Sequence, residues 1–166
     1  MRIIVMSDSH GSSEAVMKIV EKNIYTADMF IHLGDGENDT WRALQKYPQI
    51  KMMQIRGNCD QSNTLPDKRI IETIPDLDNK PIKLLAVHGH LLDIKKGTDE
   101  LLKTARENEC RIALFGHTHR RYEACTSGIW VLNPGSCACP KGNEMPSYGY
   151  IDISVWGIIT GIIDLL

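Results

Sequence analysis

Apolar and polar positions follow two periods along this chain. Arg2–Met6 is a short run rich in branched aliphatic residues and predicts a first strand. Ser12 or Ser13 then offers an N-cap, and Ala15, Val16, Ile19 and Val20 recur at helical spacing. Asp28–Leu33 is the next apolar run. Asn38–Tyr47 predicts a helix with Trp41 and Leu44 on one face, and Lys51–Ile55 and Lys83–Val87 predict two more strands. Thr98 stands as the N-cap of a further helix. Asp99 and Glu100 fall in its first turn, where the helix dipole favours them, and Leu101, Leu102 and Ala105 form its stripe. Arg111–Phe115 predicts a strand. Beyond Arg120 the helical period stops, and Arg121–Cys125, Ile129–Leu132, Tyr148–Ser154 and Ile158–Leu165 all read as strands. The first part is therefore expected as βαβα and the last as an antiparallel sheet. No internal repeat or low-complexity linker interrupts this pattern. The longest turn-rich stretch is Pro134–Ser147, and Val155-Trp156 reads as an exposed apolar turn.

Composition narrows the classes. With 166 residues, 42% hydrophobic and 24% charged, the chain is expected to form one domain over 1–166 with a self-sufficient core. Its 19 basic and 21 acidic residues leave a formal charge of -2, so the basic footprint of a nucleic-acid binder is missing. Aromatic residues make up 6%, too few for a base-stacking platform. The pairs Lys95-Lys96 and Arg120-Arg121 read as solvated surface. No segment reaches the roughly 20 apolar residues of a membrane helix, and Ile3–Met6 is too short for a signal-peptide core, so the expected location is the cytoplasm. Five cysteines at scattered spacings, Cys137-Ala138-Cys139 included, read as reduced thiols rather than a disulfide framework or a zinc knuckle.

The candidate chemistry lies just beyond the strands. Asp8 and His10 come after the first run, Asp35 after the second, and Asn58 and Asp60 after the third. His88 and His90 come after Leu84–Val87, and His117 and His119 after Ile112–Phe115. In open α/β sheets the ligand crevice lies beyond the carboxyl ends of the strands, so five loops would bring imidazole, carboxylate and amide groups to one rim. His32 sits inside its apolar run and reads as core or as support for a neighbouring ligand. Gly34-Asp35-Gly36 fails as a dinucleotide fingerprint because Asp39 occupies the third glycine position, and neither a nucleophile elbow nor a phosphate loop is present. The i, i+2 spacing of Asp8 with His10 and of His117 with His119 aims each pair to one side. Two carboxylates, an amide and four imidazoles bring two negative charges. Two divalent cations would leave a positive excess suited to an anionic phosphate.

In order, the chain carries Asp8-x-His10, Gly34-Asp35, Gly57-Asn58, His88-Gly89-His90, Gly116-His117-x-His119 and Asn133-Pro134-Gly135-Ser136. This series resembles the calcineurin-like metallophosphoesterases, and most of all their short bacterial and archaeal phosphodiesterase subgroup, to which Vps29 is also similar. The resemblance spans nearly the whole chain. It implies an α/β fold: a four-layer αββα sandwich of two mixed β-sheets flanked by helices. It also implies that Asp8, His10, Asp35 and His119 hold one metal and that Asp35, Asn58, His88 and His117 hold the other. The Asn133–Ser136 turn would be structural. One position departs from the wider superfamily, where a histidine that assists the leaving group comes after the asparagine. Here that position is Cys59, which with Asn58 would face substrate. His90 is a candidate substitute as catalytic acid, and equally a residue that orients a ligand.

The implied activity is a metal-dependent phosphodiesterase on a small-molecule phosphodiester, with a metal-bridging hydroxide as nucleophile. The mixed nitrogen and oxygen donors favour Mn²⁺, with Fe²⁺, Ni²⁺ or Zn²⁺ as alternatives. Competing readings are a phosphomonoesterase and a Vps29-like binding scaffold with a vestigial site. Substrate, native metal and oligomeric state, a homo-oligomer included, are open from sequence.

Overall fold

A computed structural model describes Met1–Leu166. Ten strands and three helices occur in the order β1 (Arg2–Met6), α1 (Ser13–Asn23), β2 (Met29–His32), α2 (Trp41–Lys46), β3 (Met52–Gln54), β4 (Lys68–Pro75), β5 (Pro81–Val87), α3 (Asp99–Glu107), β6 (Cys110–Leu114), β7 (Arg121–Thr126), β8 (Ile129–Pro134), β9 (Ser147–Ser154) and β10 (Gly157–Asp164). A 3₁₀ turn, His90–Leu92, comes after β5.

Two five-stranded mixed sheets result, ordered β10-β9-β1-β2-β3 and β4-β5-β6-β8-β7. Period-2 alternation sorts the side chains of each strand into layers. Ile3 and Val5 of β1, Met29 and Ile31 of β2, Ile82 and Leu84 of β5, and Ile112 and Leu114 of β6 meet between the sheets. The alternate residues Ile4, Met6 and Phe30 turn outward onto Val16, Ile19 and Val20 of α1. Leu85, Val87 and Ala113 turn outward onto Leu101, Leu102 and Ala105 of α3. The layers are therefore αββα, as the resemblance implies. Strands buried on both faces read as continuous apolar runs, which is why β1, β2, β5 and β6 are legible in the sequence.

Four expectations need correction. Strand β4 is absent from the sequence pattern. Only Ile71 of its eight residues is buried, and charges at Lys68, Arg69 and Glu72 mark a protected sheet edge. The last strands do not form one antiparallel sheet. Strand β8 joins β6 in parallel and carries β7 antiparallel at the edge, whereas β9 pairs antiparallel with β1 in the other sheet. Each piece buries its own apolar residues: Val131 and Leu132 in one sheet, Ile151 and Ile153 in the other. Helix α2 is shorter than the Asn38–Tyr47 expected; Trp41 and Leu44 do share a face and border one surface cavity, but Trp41 is 63% exposed and Ala43 is the buried contact. Arg121 is an anchor rather than solvated surface. Its backbone N–H donates to Glu144 (2.9 Å), and its guanidinium donates to Ser147 Oγ, the Met145 carbonyl and Asp164. Ser12 is the N-cap of α1, accepting from Ala15 N at 3.3 Å, whereas Thr98 occupies its cap position without a side-chain bond. No helix is long and apolar enough to cross a membrane.

Candidate metal centre

Strands β1, β2 and β3 run parallel, as do β5 and β6, so each group sends its carboxyl-end loops to one side. The β1 loop carries Asp8 and His10, the β2 loop Asp35, the β3 loop Asn58, the β5 loop His88 and His90, and the β6 loop His117 and His119. Backbone bonds tie them together: Asp8 N donates to the Gly34 carbonyl (3.0 Å), His10 N to that of Asp35 (2.9 Å) and Gly116 N to that of His88 (2.9 Å). Asp8, His10, Asp35, His117 and His119 all have positive φ, between 43° and 66°. That left-handed geometry is unfavourable for non-glycine residues and clusters at functional sites. Gly57 allows a close approach of two loops, since a Cβ there would collide with the Asp35 carboxylate and backbone nitrogen.

Ligand atoms of Asp8, His10, Asp35 and His119 lie within 4.8 Å of one another. Asp8 Oδ2 accepts from His117 N (3.1 Å). Its other oxygen, Oδ1, is buried and has no hydrogen-bond partner. Asp35 is arranged alike: Oδ1 accepts from Cys59 N (2.8 Å), and Oδ2 lies 3.7 Å from His10 Nε2 and 3.5 Å from His88 Nε2. His119 Nδ1–H donates to the Cys139 carbonyl (2.6 Å), and His88 Nδ1–H donates to that of Leu33 (2.8 Å). Both bonds fix tautomers in which Nε2 presents a lone pair to the cluster. There His119 Nε2 sits 3.1 Å from His10 Nε2, and His88 Nε2 sits 3.2 Å from Asn58 Oδ1. A buried carboxylate oxygen with no partner, two further carboxylate and amide oxygens and several imidazole nitrogens thus converge on one spot, a donor set that fits a divalent cation.

Titration is set by the same contacts. Burial opposes ionisation of Asp35, but His88 and the Cys59 N–H outweigh it and hold the carboxyl below its usual range. For His88, burial opposes protonation, yet Asp35 and Asp8 raise its pKa above the ordinary value. His117 is brought down to about 4 by burial and by His88. Its ring stands edge-on to His88 with centroids 5.1 Å apart, and it is not in the four-residue cluster. His90 lies 5.4 Å from His88, centroid to centroid, and its Nδ1 is buried without a partner. Burial, then His88, lowers its pKa. Cys59 is exposed, receives a bond from Asn58 Nδ2 (3.2 Å), and has its thiol pKa pushed up by burial and Asp35.

His32 supports the site from the core, as its position in an apolar run suggests. Gly34 N–H donates to its Nδ1 (3.2 Å), so Nε2 carries the proton and donates to Ser9 Oγ (2.9 Å). Ser9 in turn donates to Asp39 Oδ2 (2.5 Å), which also accepts from Gly11 N (2.9 Å). The Asn133–Ser136 turn is structural: Asn133 Nδ2 donates to the Gly116 carbonyl (3.0 Å) and Ser136 Oγ to that of Asp8 (2.6 Å). Sequence reasoning missed the roles of Ser9, Asp39 and Asp60. Asp39 and Asp60 were visible as acidic residues within a few positions of Asp35 and Asn58. The Cys139 carbonyl has no side-chain signal at all.

An α/β sandwich with carboxylates and imidazoles converging at its strand ends defines a metal-site protein of the phosphoesterase type. Residues 1–155 match the calcineurin-like phosphoesterase superfamily domain, and the chain belongs to that superfamily of metallophosphoesterase enzymes. It is 30% identical over 154 residues to the probable metallophosphoesterase YsnB of Bacillus subtilis, covering 92% of this chain and 85% of that one. It is 27% identical over 182 residues to the phosphodiesterase YfcE of Escherichia coli, covering 96% and 91%. The crystal structure of a predicted phosphoesterase from Streptococcus pneumoniae superposes with a TM-score of 0.81 at 28% identity, covering 98% and 88%. Zinc-complexed Vps29 from Entamoeba histolytica shares the fold, with a TM-score of 0.73 at 19% identity and 99% coverage of both chains.

Proposed function

We propose that the protein is a phosphodiesterase acting on small-molecule diesters with two divalent ions, Mn²⁺ foremost. Asp8, His10, Asp35 and His119 hold one ion, and Asp35, Asn58, His88 and His117 the other. The observation that carries this reading is Asp8 Oδ1, buried and unpartnered beside imidazole nitrogens that face each other at 3.1 Å. Bound metal would set positive charge against the phosphate oxygens and acidify the attacking water. Asp35 suits a shared ligand because its Oδ2 faces His10 on one side and His88 on the other. His117, neutral above about pH 4, has its lone pair free for metal at physiological pH. Substrate enters a cleft of ≈ 300 Å³ bordered by His10, Asp35, Glu37, Asn38, Cys59 and Asp60. The Cys59 thiol stays protonated there and is a weak donor, so good leaving groups depart fastest. The similarity to YfcE supports a diester rather than a monoester. Five unpaired cysteines support a reducing, cytoplasmic setting.

A metal-by-substrate screen on chelator-treated protein tests the reading. Hydrolysis of bis-(p-nitrophenyl) phosphate, restored by Mn²⁺ and exceeding that of p-nitrophenyl phosphate, is expected. Preference for the monoester would make it a phosphomonoesterase. Metal binding without either activity would favour a scaffold.

A further inference from the structure

Asp60 lies two residues beyond Asn58, and both its oxygens are committed to main chain. Oδ1 accepts from Gly36 N (2.8 Å) and Glu37 N (3.0 Å). Oδ2 accepts from Asp35 N (2.8 Å) and Gly57 N (2.7 Å). Three of these N–H groups belong to the β2 loop and one to the β3 loop, so a single carboxylate spans the two. The return contact comes from Asp35, whose Oδ1 accepts from Cys59 N (2.8 Å). Each loop thus offers its aspartate to the other's backbone. A second staple joins the same loops where Ser62 N donates to Glu37 Oε2 (2.6 Å). No cation takes part in this lock. Four N–H donors converge on one anion, and such charge-assisted bonds are the short, strong kind. They also brace Asp35 at φ 57°, in the left-handed region.

We propose that Asp60 is a positioning residue. It sets the placement of Asp35 against Asn58, and so the geometry in which those two residues grip metal, without ligating metal itself: it borders the cleft, but both its oxygens are taken by main-chain N–H groups. The proposal rests on the reading of Asp35 and Asn58 as ligands. Asp60→Asn is the incisive substitution, because it exchanges one acceptor oxygen for an NH₂ that must face two N–H donors. Asp67→Asn is the control. It removes the same charge from a residue on the same side of the molecule, one paired with Arg56 at 2.6 Å rather than with main chain.

Mn²⁺ binding to the full chelator-treated chain, measured calorimetrically well below the melting temperature, is the first readout. Supporting residues of metal sites typically contribute about 10–100-fold in affinity. A loss of that order is expected for Asp60→Asn, and less than about twofold for Asp67→Asn. Amide hydrogen exchange of the metal-free wild type is the second readout and needs no variant to fold. The Asp35, Gly36, Glu37 and Gly57 amides are expected to exchange slowly. In Asp60→Asn they should lose protection while Ile4 and Val5 of β1 keep theirs. Equal Mn²⁺ affinity in wild type and Asp60→Asn, or free-loop exchange of the four amides in wild type, would overturn the proposal. A wild type that binds no Mn²⁺ would overturn the ligand reading beneath it, and is seen before any variant is made.

Discussion

Asp8 and Asp35 each divide their carboxylate oxygens between two tasks, one bonded to backbone N–H and the other turned into the cluster. Cys59 and His90 have no such division, and their chemistry can be separated by leaving group. The thiol is protonated, and burial and His88 keep His90 neutral at pH 7, so neither delivers a proton readily. General acid assistance is typically worth about 10²–10⁴-fold. Nitrophenyl diesters are therefore expected to turn over faster than alkyl diesters by a factor of that order. Cys59→Ser should change either rate by less than about twofold, and His90→Ala should lower both by the same factor. Steady-state kinetics on the two substrates checks this, and an alkyl-selective loss in His90→Ala would identify it as the acid after all. The seven candidate ligands were legible because they are side chains placed just after strands. The oxygen and nitrogen atoms that orient them were not, because Leu33 and Cys139 contribute carbonyls and Asp60 binds amides.

At the scale of elements, a loop carrying a ligand keeps its place only if the neighbouring loop can come close. Gly57 shows the tolerance: an alanine methyl would meet the Asp35 carboxylate and nitrogen, so one loop must move. Overpacking typically costs about 1–3 kcal/mol. Gly57→Ala is expected to lower stability by that amount, read from urea unfolding, and to weaken Mn²⁺ binding at the same time. Unchanged stability would mean that the β2 and β3 loops are less tightly engaged than their hydrogen bonds imply. The elements themselves were legible where a strand is buried on both faces or a helix has a full stripe. They were not legible at edges. In β4, charged Lys68, Arg69 and Glu72 mask the strand, and the parallel partnership of β8 with β6 depends on contacts distant in sequence.

Across the whole molecule, the histidines make stability depend on pH. His32, His90 and His117 titrate below their ordinary value, with burial the leading cause in each, and His117 reaches about 4. Between those values and the unfolded value near 6.5 the unfolded chain binds more protons, so folding weakens as pH falls. His88 works the other way, because its raised pKa adds stability below about 6.5 that is lost as pH rises through its folded value. Three against one, the urea midpoint of the metal-free protein is expected to fall from pH 7 to pH 4.5; a midpoint that rises would contradict the burial of neutral imidazoles. Metal should raise the midpoint at pH 7, since a ligand at about 100 times its Kd adds about 2.7 kcal/mol, and do so less at pH 4.5, where protons compete for the imidazoles. The central claim is that the clustered donors hold two ions through a shared carboxylate. Elemental analysis of Mn²⁺-equilibrated, gel-filtered protein tests it most directly. Two ions per wild-type chain and loss of both in a folded Asp35→Ala variant are expected. Unchanged stoichiometry in Asp35→Ala, or no bound metal in the wild type, would contradict the account.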